Sequence, residues 1–327
     1  MNARLRTALA RSVSRRAALR GIGLGAITIP IVGCSGVQLA PIDAGGVEGD
    51  AAATDAFLGA DGAATTDAAL ASGWASGGTA AMTGAASYPD PFGVLPTVCE
   101  ATCEMTLGPC HSSSPERKDV SEGYPGLPVR LALRILDTSC QPVEGATVEI
   151  WHTRNSGLYS GTNDTGEFNV AFCTGGDADA QAHHYFRGIQ TTDADGIVQF
   201  DTCFPGWYTS RTIHIHLQVM IGTDQYLVSQ IFFPQDVITE IFAAHPDYSS
   251  FGQPDTSNTS DTVLPAASAN DYLVSYERQS DGAMLAWRTI FIRRALTDSV
   301  CSVGGMGGGM PGGDGGMMGP PPGRDAG

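Results

Sequence analysis

The sequence predicts an all-β protein: a β-sandwich of short mixed strands joined by long loops. Three observations carry this expectation. Apolar residues recur at alternate positions in several short runs, the period of a strand that turns one face inward. Clusters of Gly, Pro, Asn and Asp separate those runs. Only one stretch, 234–244, has helical character, and it is weak.

In chain order, residues 127–136 place Val129, Leu131, Leu133 and Ile135 on one face and read as a half-buried strand. A turn over 137–141 leads to a strand over 146–152, with Ala146, Val148 and Ile150 aligned. Asn155-Ser156-Gly157 then turns the chain into Leu158-Tyr159-Ser160. A short extended run follows at 188–192, and Asp193-Ala194-Asp195-Gly196 turns into a strand beginning at Ile197. Asp193 and Asp195 resemble the start of a calcium loop but lack its closing glutamate, so a plain Asp-Gly turn is expected. Residues 212–221 and 225–233 read as a hairpin, and 283–292 as the final strand. There is no internal repeat.

The chain has 327 residues, enough for one or two domains, yet both ends read as unstructured. Residues 1–33 read as an export leader. They hold the pair Arg15-Arg16 after Ser14, an apolar stretch over 21–32 and then Ile31-Val32-Gly33-Cys34, a lipoprotein-type cleavage site. Cys34 is the expected lipid attachment point, and an exported, membrane-anchored protein is the expected location. An ordinary signal peptide ahead of a chance cysteine is the rival reading. Residues 34–95 are rich in Ala, Gly, Thr and Asp and read as a flexible tether, which leaves 96–300 as the folded domain. Residues 301–327 are Gly, Met and Pro and read as a disordered tail.

A net charge of −16 argues against nucleic acid and against an anionic membrane surface as partners. Of eight cysteines, seven lie beyond Cys34, a density that fits an exported, disulfide-bearing domain. Seven is odd, so at least one is free or paired between molecules. The pairing cannot be read from the spacing. A zinc site on Cys99, Cys103, Cys110 and His111 is a rival reading, but its spacing matches no usual zinc pattern.

The most informative run is Pro205-Gly206-Trp207-Tyr208-Thr209-Ser210-Arg211-Thr212-Ile213-His214-Ile215-His216. On a strand, His214 and His216 share one face while Ile213 and Ile215 enter a core. Tyr208 lies six residues before His214, after a Pro-Gly turn that can fold it back over that face, and Arg211 lies between. A tyrosine, an arginine and two histidines on one short segment point to a metal with an oxygen donor and a neighbouring cation.

These residues sit in a longer ordered series: Thr106-Leu107-Gly108-Pro109, Trp151-His152, Gly157-Leu158-Tyr159-Ser160, Arg187-Gly188, Thr192-Asp193-Ala194-Asp195-Gly196, Pro205-Gly206-Trp207-Tyr208, Arg211 and His214-Ile215-His216. Each motif is weak alone, but their order and spacing together resemble the intradiol ring-cleavage dioxygenases, the catechol and protocatechuate dioxygenase family, over about 106–233. The resemblance implies a non-haem Fe(III) ion held by Tyr159, Tyr208, His214 and His216. Phenolates are hard anionic oxygen donors that suit a ferric ion. In the family, the tyrosine matching Tyr208 leaves the metal as substrate chelates and helps take the catechol protons. Arg211 matches an arginine beside the substrate ring, where a cation stabilises carbanion character. Gln230 matches a glutamine that positions the reacting intermediate. The implied reaction opens a catechol-type ring between its two hydroxylated carbons with O2, giving a cis,cis-muconate-type diacid.

The chain departs from the family in three places. Cys110-His111 stands where many relatives carry two aromatic residues, at the substrate mouth. Only five residues separate Tyr208 from His214, a short form that resembles the exported branch. A polar linker replaces the helical dimerisation region of many relatives. His183 and His184 read as solvated loop residues. Two other functions fit parts of the sequence: a surface lipoprotein that binds a ligand without turnover, and a zinc hydrolase on His214 and His216, which lacks an obvious third ligand.

Overall fold

The computed structural model describes residues 73–303. The leader with its twin arginines, Cys34 and the methionine-rich stretch from 304 onward lie outside the described residues. Within them, eight strands form two four-stranded sheets, as the alternating pattern predicts. The first sheet holds β1 (Pro128–Asp137), β4 (Ile197–Cys203), β7 (Ser275–Arg278) and β8 (Met284–Ile292), in the order β4-β1-β8-β7. The second holds β2 (Thr147–Trp151), β3 (Arg187–Thr191), β5 (His214–Ile221) and β6 (Asp224–Phe232), in the order β3-β2-β5-β6. The β1–β8 pairing is parallel, and all other pairings are antiparallel. Short helices α1 (Val170–Thr174) and α2 (Ala178–Ala182) lie in the loop after β2, and α3 (Gln235–Ala244) follows β6.

The inner faces meet in one core. Val129, Leu131, Leu133 and Ile135 of β1 share it with Val148 and Ile150 of β2, Ile215, Leu217 and Val219 of β5, and Met284, Ala286 and Ile290 of β8. Asp193 accepts from the backbone N–H groups of Asp195 and Ile197, the Asp-Gly turn expected from the sequence. Sequence reading did not find β7, α1 or α2.

Two boundaries differ from expectation. β1 is buried on both faces rather than half-buried, because residues 73–95, expected as part of the tether, fold over its outer side. Arg130 lies over the ring of Tyr88 and donates to the Ala85 carbonyl, while Arg134 lies over Phe92 and donates to the Gly93 carbonyl. Trp74 anchors the start of this strap: it is 4 % exposed, and its indole N–H donates to Glu240 at 2.9 Å. A few large side chains thus hold a segment whose average composition is that of a linker. At the other end, Cys301 belongs to the fold and not to the tail.

Three disulfides join Cys99 to Cys140, Cys103 to Cys301 and Cys110 to Cys173. Cys203 is free and buried, so one of the seven is unpaired, as the odd count requires. With Cys99, Cys103 and Cys110 oxidised, the zinc reading for that cluster falls away.

His152 is wholly buried between two partners. Its Nδ1–H donates to the Thr153 carbonyl at 2.8 Å, so Nε2 accepts from the Thr202 hydroxyl at 2.7 Å. Burial above all drives its pKa down to about 3. The unfolded histidine takes a proton below about 6.5, which the folded one refuses. Stability from this group is therefore complete above pH 6.5 and is lost as pH falls, by about 2 kcal/mol at pH 5.

Two outcomes are expected. The urea midpoint should fall between pH 7 and pH 5, and His152→Gln should flatten that dependence. Trp74→Ala should cost about 3 kcal/mol in urea unfolding, the scale for truncating a buried tryptophan, although the residue lies within the expected tether.

Candidate functional site

The outer face of the second sheet carries the site. Register sets Arg187 on β3, Trp151 on β2, His216 on β5 and Gln230 on β6 side by side in one row. His214 stands two residues from His216 on the same face. An exposed row of this kind would meet water, but loops cover it: His214 is 4 % exposed, His216 3 %, and Arg187 and Gln230 are fully buried.

Two of these loops bring the tyrosines. Gly157, at φ +85°, begins the turn into Tyr159, and a β-carbon there would stand 2.1 Å from the Trp207 carbonyl oxygen. The glycine lets the Tyr159 loop lie directly against the backbone that leads to Tyr208. The Tyr159 N–H donates to the Cys173 carbonyl at 2.9 Å. Arg187 ties the same loop from below, donating to the carbonyls of Ser160 and Cys110. The Cys110–Cys173 disulfide packs with Tyr159, Trp151 and Phe168.

The four side chains chosen from the sequence converge. The hydroxyls of Tyr159 and Tyr208 each lie 3.2 Å from His214 Nε2. His214 Nδ1 lies 2.7 Å from the Thr212 carbonyl, which can only accept, so Nδ1 carries the proton and the Nε2 lone pair faces the two phenols. The His216 ring stands 4.9 Å from that of His214 and stacks on Trp151 at 4.9 Å and 12°. Its Nδ1 is buried with no hydrogen-bond partner among the described residues. Burial, and next the Arg211 charge, holds His214 well below the ordinary histidine range, and burial with the neighbouring His214 does the same for His216. Both rings are neutral, the form that binds metals. Burial also lifts the Tyr159 phenol well above its usual pKa, so only a cation at its oxygen would favour the phenolate.

The donor set fits a resident metal ion. Ligands about 2 Å from one ion stand roughly 3 Å from each other, the spacing seen among these oxygens and the nitrogen. One lone pair facing two hydroxyls is a poor hydrogen-bond arrangement but a good metal-facing one. Among the described residues no group of three His, Cys, Asp or Glu side chains could hold a metal. A site built on the two histidines thus completes itself with phenols, which disfavours the zinc-hydrolase reading.

Arg211 and Gln230 flank the cluster. Arg211 is 7 % exposed. Its Nη1 faces the Tyr208 hydroxyl at 3.5 Å, its Nη2 donates to Gln230 Oε1 at 2.5 Å, and its Nε donates to Asp261 at 3.0 Å. Gln230 Nε2 donates to the Thr106 carbonyl at 3.0 Å. Arg211 is thus both salt-bridged and aimed at the site. His111 packs edge-on against Trp151 and lies 3.2 Å from Glu149, and Cys110 is oxidised. His183 is in the exposed α2 loop beside Asp179, away from the cluster. Sequence reading missed Asp261, the Thr212 carbonyl and the Trp151 stack. Only the last had a signal, in the Trp151-His152 pair.

The model of a family described as Dioxygenase matches residues 106–260, a span that contains all six chosen residues. An intradiol ring-cleavage dioxygenase from Tetranychus urticae superposes with a TM-score of 0.53 at 25% identity, over 62% of this chain and 99% of that one. Residues 106–260 are a dioxygenase-family domain with the fold of an intradiol ring-cleavage dioxygenase. Another dioxygenase structure aligns over 62% of this chain and 98% of its own at 26% identity, with a TM-score of 0.51. Among curated proteins, the chlorocatechol 1,2-dioxygenase of Rhodococcus opacus is 23% identical over 147 residues, 39% of this chain and 52% of that protein. The chain thus spans about half the length of that curated relative. The strap over β1 lies outside the matched family span.

Gly108, at φ +77°, rests on the second histidine of the cluster: a β-carbon there would stand 3.0 Å from His216 Cε1. Gly108→Ala should cost about 1 kcal/mol in urea unfolding from the left-handed backbone alone, and should lower the metal content after loading as His216 is displaced.

Proposed function

We propose that this protein is an exported non-haem Fe(III) dioxygenase that opens a catechol-type ring between its two hydroxylated carbons, using O2 and giving a cis,cis-muconate-type diacid. The observation that carries this reading is the convergence of two phenols on the free lone pair of a neutral, buried histidine, with a second neutral histidine alongside. Tyr159, Tyr208, His214 and His216 would hold the ion. When bound, a ferric ion supplies the Lewis acidity that gathers the two oxygens of an aromatic diol and prepares its ring for O2.

The remaining work falls to the side chains. Tyr208 is half-buried where Tyr159 is 2 % exposed, so Tyr208 is the phenol that incoming substrate meets, and as the phenolate that a bound cation would favour its oxygen can take a proton from a substrate hydroxyl. Arg211, within 3.5 Å of that oxygen, sets a cation beside the negative charge that develops on the ring. Gln230, held by Arg211 and the Thr106 carbonyl, presents a fixed amide to the oxygens of the opened ring. The Cys110–Cys173 disulfide, Phe168 and Trp151 keep water from the Tyr159 side.

Three disulfides support an oxidising, extracytoplasmic setting. Together with the leader they favour a periplasmic or surface protein anchored through lipid on Cys34.

The test is a visible absorption spectrum with metal analysis on the purified protein, followed by catechol under argon and then oxygen. The expected result is a broad visible charge-transfer band that shifts with catechol and recovers with oxygen, with a ring-opened diacid as product. Tyr208→Phe should shift that band and slow turnover by about 100-fold, and His214→Ala should lose the iron. A protein that stays colourless after iron loading would favour a surface lipoprotein that binds a ligand without turnover.

A further inference from the structure

Asp261 lies one residue beyond the matched family span and outside every motif of the series. Its side chain is fully buried, and four N–H groups use both of its oxygens. Oδ2 accepts from Arg211 Nε at 3.0 Å and from the Thr212 backbone at 2.7 Å. Oδ1 accepts from the backbones of Val263 at 2.8 Å and Leu264 at 2.7 Å. Four acceptor positions are the capacity of a carboxylate. The group is therefore fixed, and it fixes what it touches.

A guanidinium has three edges. Asp261 occupies the Nε edge of Arg211, which leaves Nη1 for the Tyr208 oxygen and Nη2 for Gln230. Without that anchor the head group is free to rotate about its last bonds and to pair with any incoming anion. The cation beside the site is already matched by one buried anion, so Asp261 sets both the direction of Arg211 and how much of its charge the site meets.

We propose that Asp261 is a positioning residue for ring cleavage, one that orients the Arg211 guanidinium toward Tyr208 and Gln230. The inference rests on the function proposed above. The proposed role is exerted through Arg211; the bond to the Thr212 backbone holds the segment that leads to His214, which is why iron content is measured beside turnover.

The test uses the full iron-loaded protein and the Asp261→Asn and Asp261→Glu variants, each alone and with Arg211→Ala. Asn removes the charge and one acceptor, whereas Glu keeps both but shifts the anchor by a methylene. Steady-state turnover of catechol is measured beside iron content, the visible band and its shift with 4-nitrocatechol under argon. The expected result is a kcat lowered about 10- to 100-fold in each single variant. KM should be unchanged or lower in Asp261→Asn, because the arginine loses its neutralising partner, while iron content and the resting band are kept. In the Arg211→Ala background the Asp261 substitutions should cost nothing further, since coupled residues are not additive. Wild-type kcat in both single variants would overturn the inference. So would the same fold-loss with and without Arg211, or a loss of iron parallel to the loss of kcat, which is the mark of a merely structural loop. Asp261→Glu carries the test if Asp261→Asn does not fold. A wild-type protein that neither binds 4-nitrocatechol nor consumes catechol would overturn the proposed function first, and this inference with it.

Discussion

The two-residue alternation of β5 is the constraint on which the rest of the structure depends. It sends Ile215, Leu217 and Val219 into the sandwich core and His214 and His216 out of it. A strand cannot bury one set without presenting the other. Sliding β5 by a single residue would put imidazoles in the core and isoleucines at the site. The hydrophobic effect that fixes the register therefore also fixes the histidine pair at the site.

The outward face then poses its own problem. His214, His216, Arg187 and Arg211 are polar or charged and almost wholly removed from water. Each needs a partner or a reason to lack one. Arg187 spends Nε and Nη2 on carbonyls of the loops it holds, Arg211 is held by Asp261 and Gln230, and His214 by the Thr212 carbonyl. Among the described residues, His216 Nδ1 is left without a hydrogen-bond partner, and the single His214 lone pair is crowded by two phenols. That is the place where an ion would complete the arrangement.

Much of this was legible in the sequence, for a physical reason. Strand periodicity is local, so β1, β2, β5, β6 and β8 could be placed within a residue or two. The six site residues lie in short motifs whose order survives the folding of the loops between them. Other features depend on encounters that leave no local trace. Residues 73–95 average to a linker, and nothing in that average marks Trp74, Tyr88 and Phe92 as anchors for the outer side of β1. β1 therefore looked half-buried. Asp261 sits in a polar loop where one acid resembles any other, and only its meeting with Arg211, fifty residues earlier, sets it apart. Disulfide partners are likewise a property of the folded chain.

The Cys103–Cys301 bond spans a sequence separation of 198 and joins the first segment of the dioxygenase domain to its last. Tyr159, Tyr208, Arg211, His214, His216, Gln230 and Asp261 all fall inside that span. The site is thus enclosed in a covalent ring. A protease that severs one of the long surface loops linearises the ring but releases nothing. The two pieces stay joined through sulfur, still paired across both sheets. The link makes a single nick a change of connectivity instead of a loss of material.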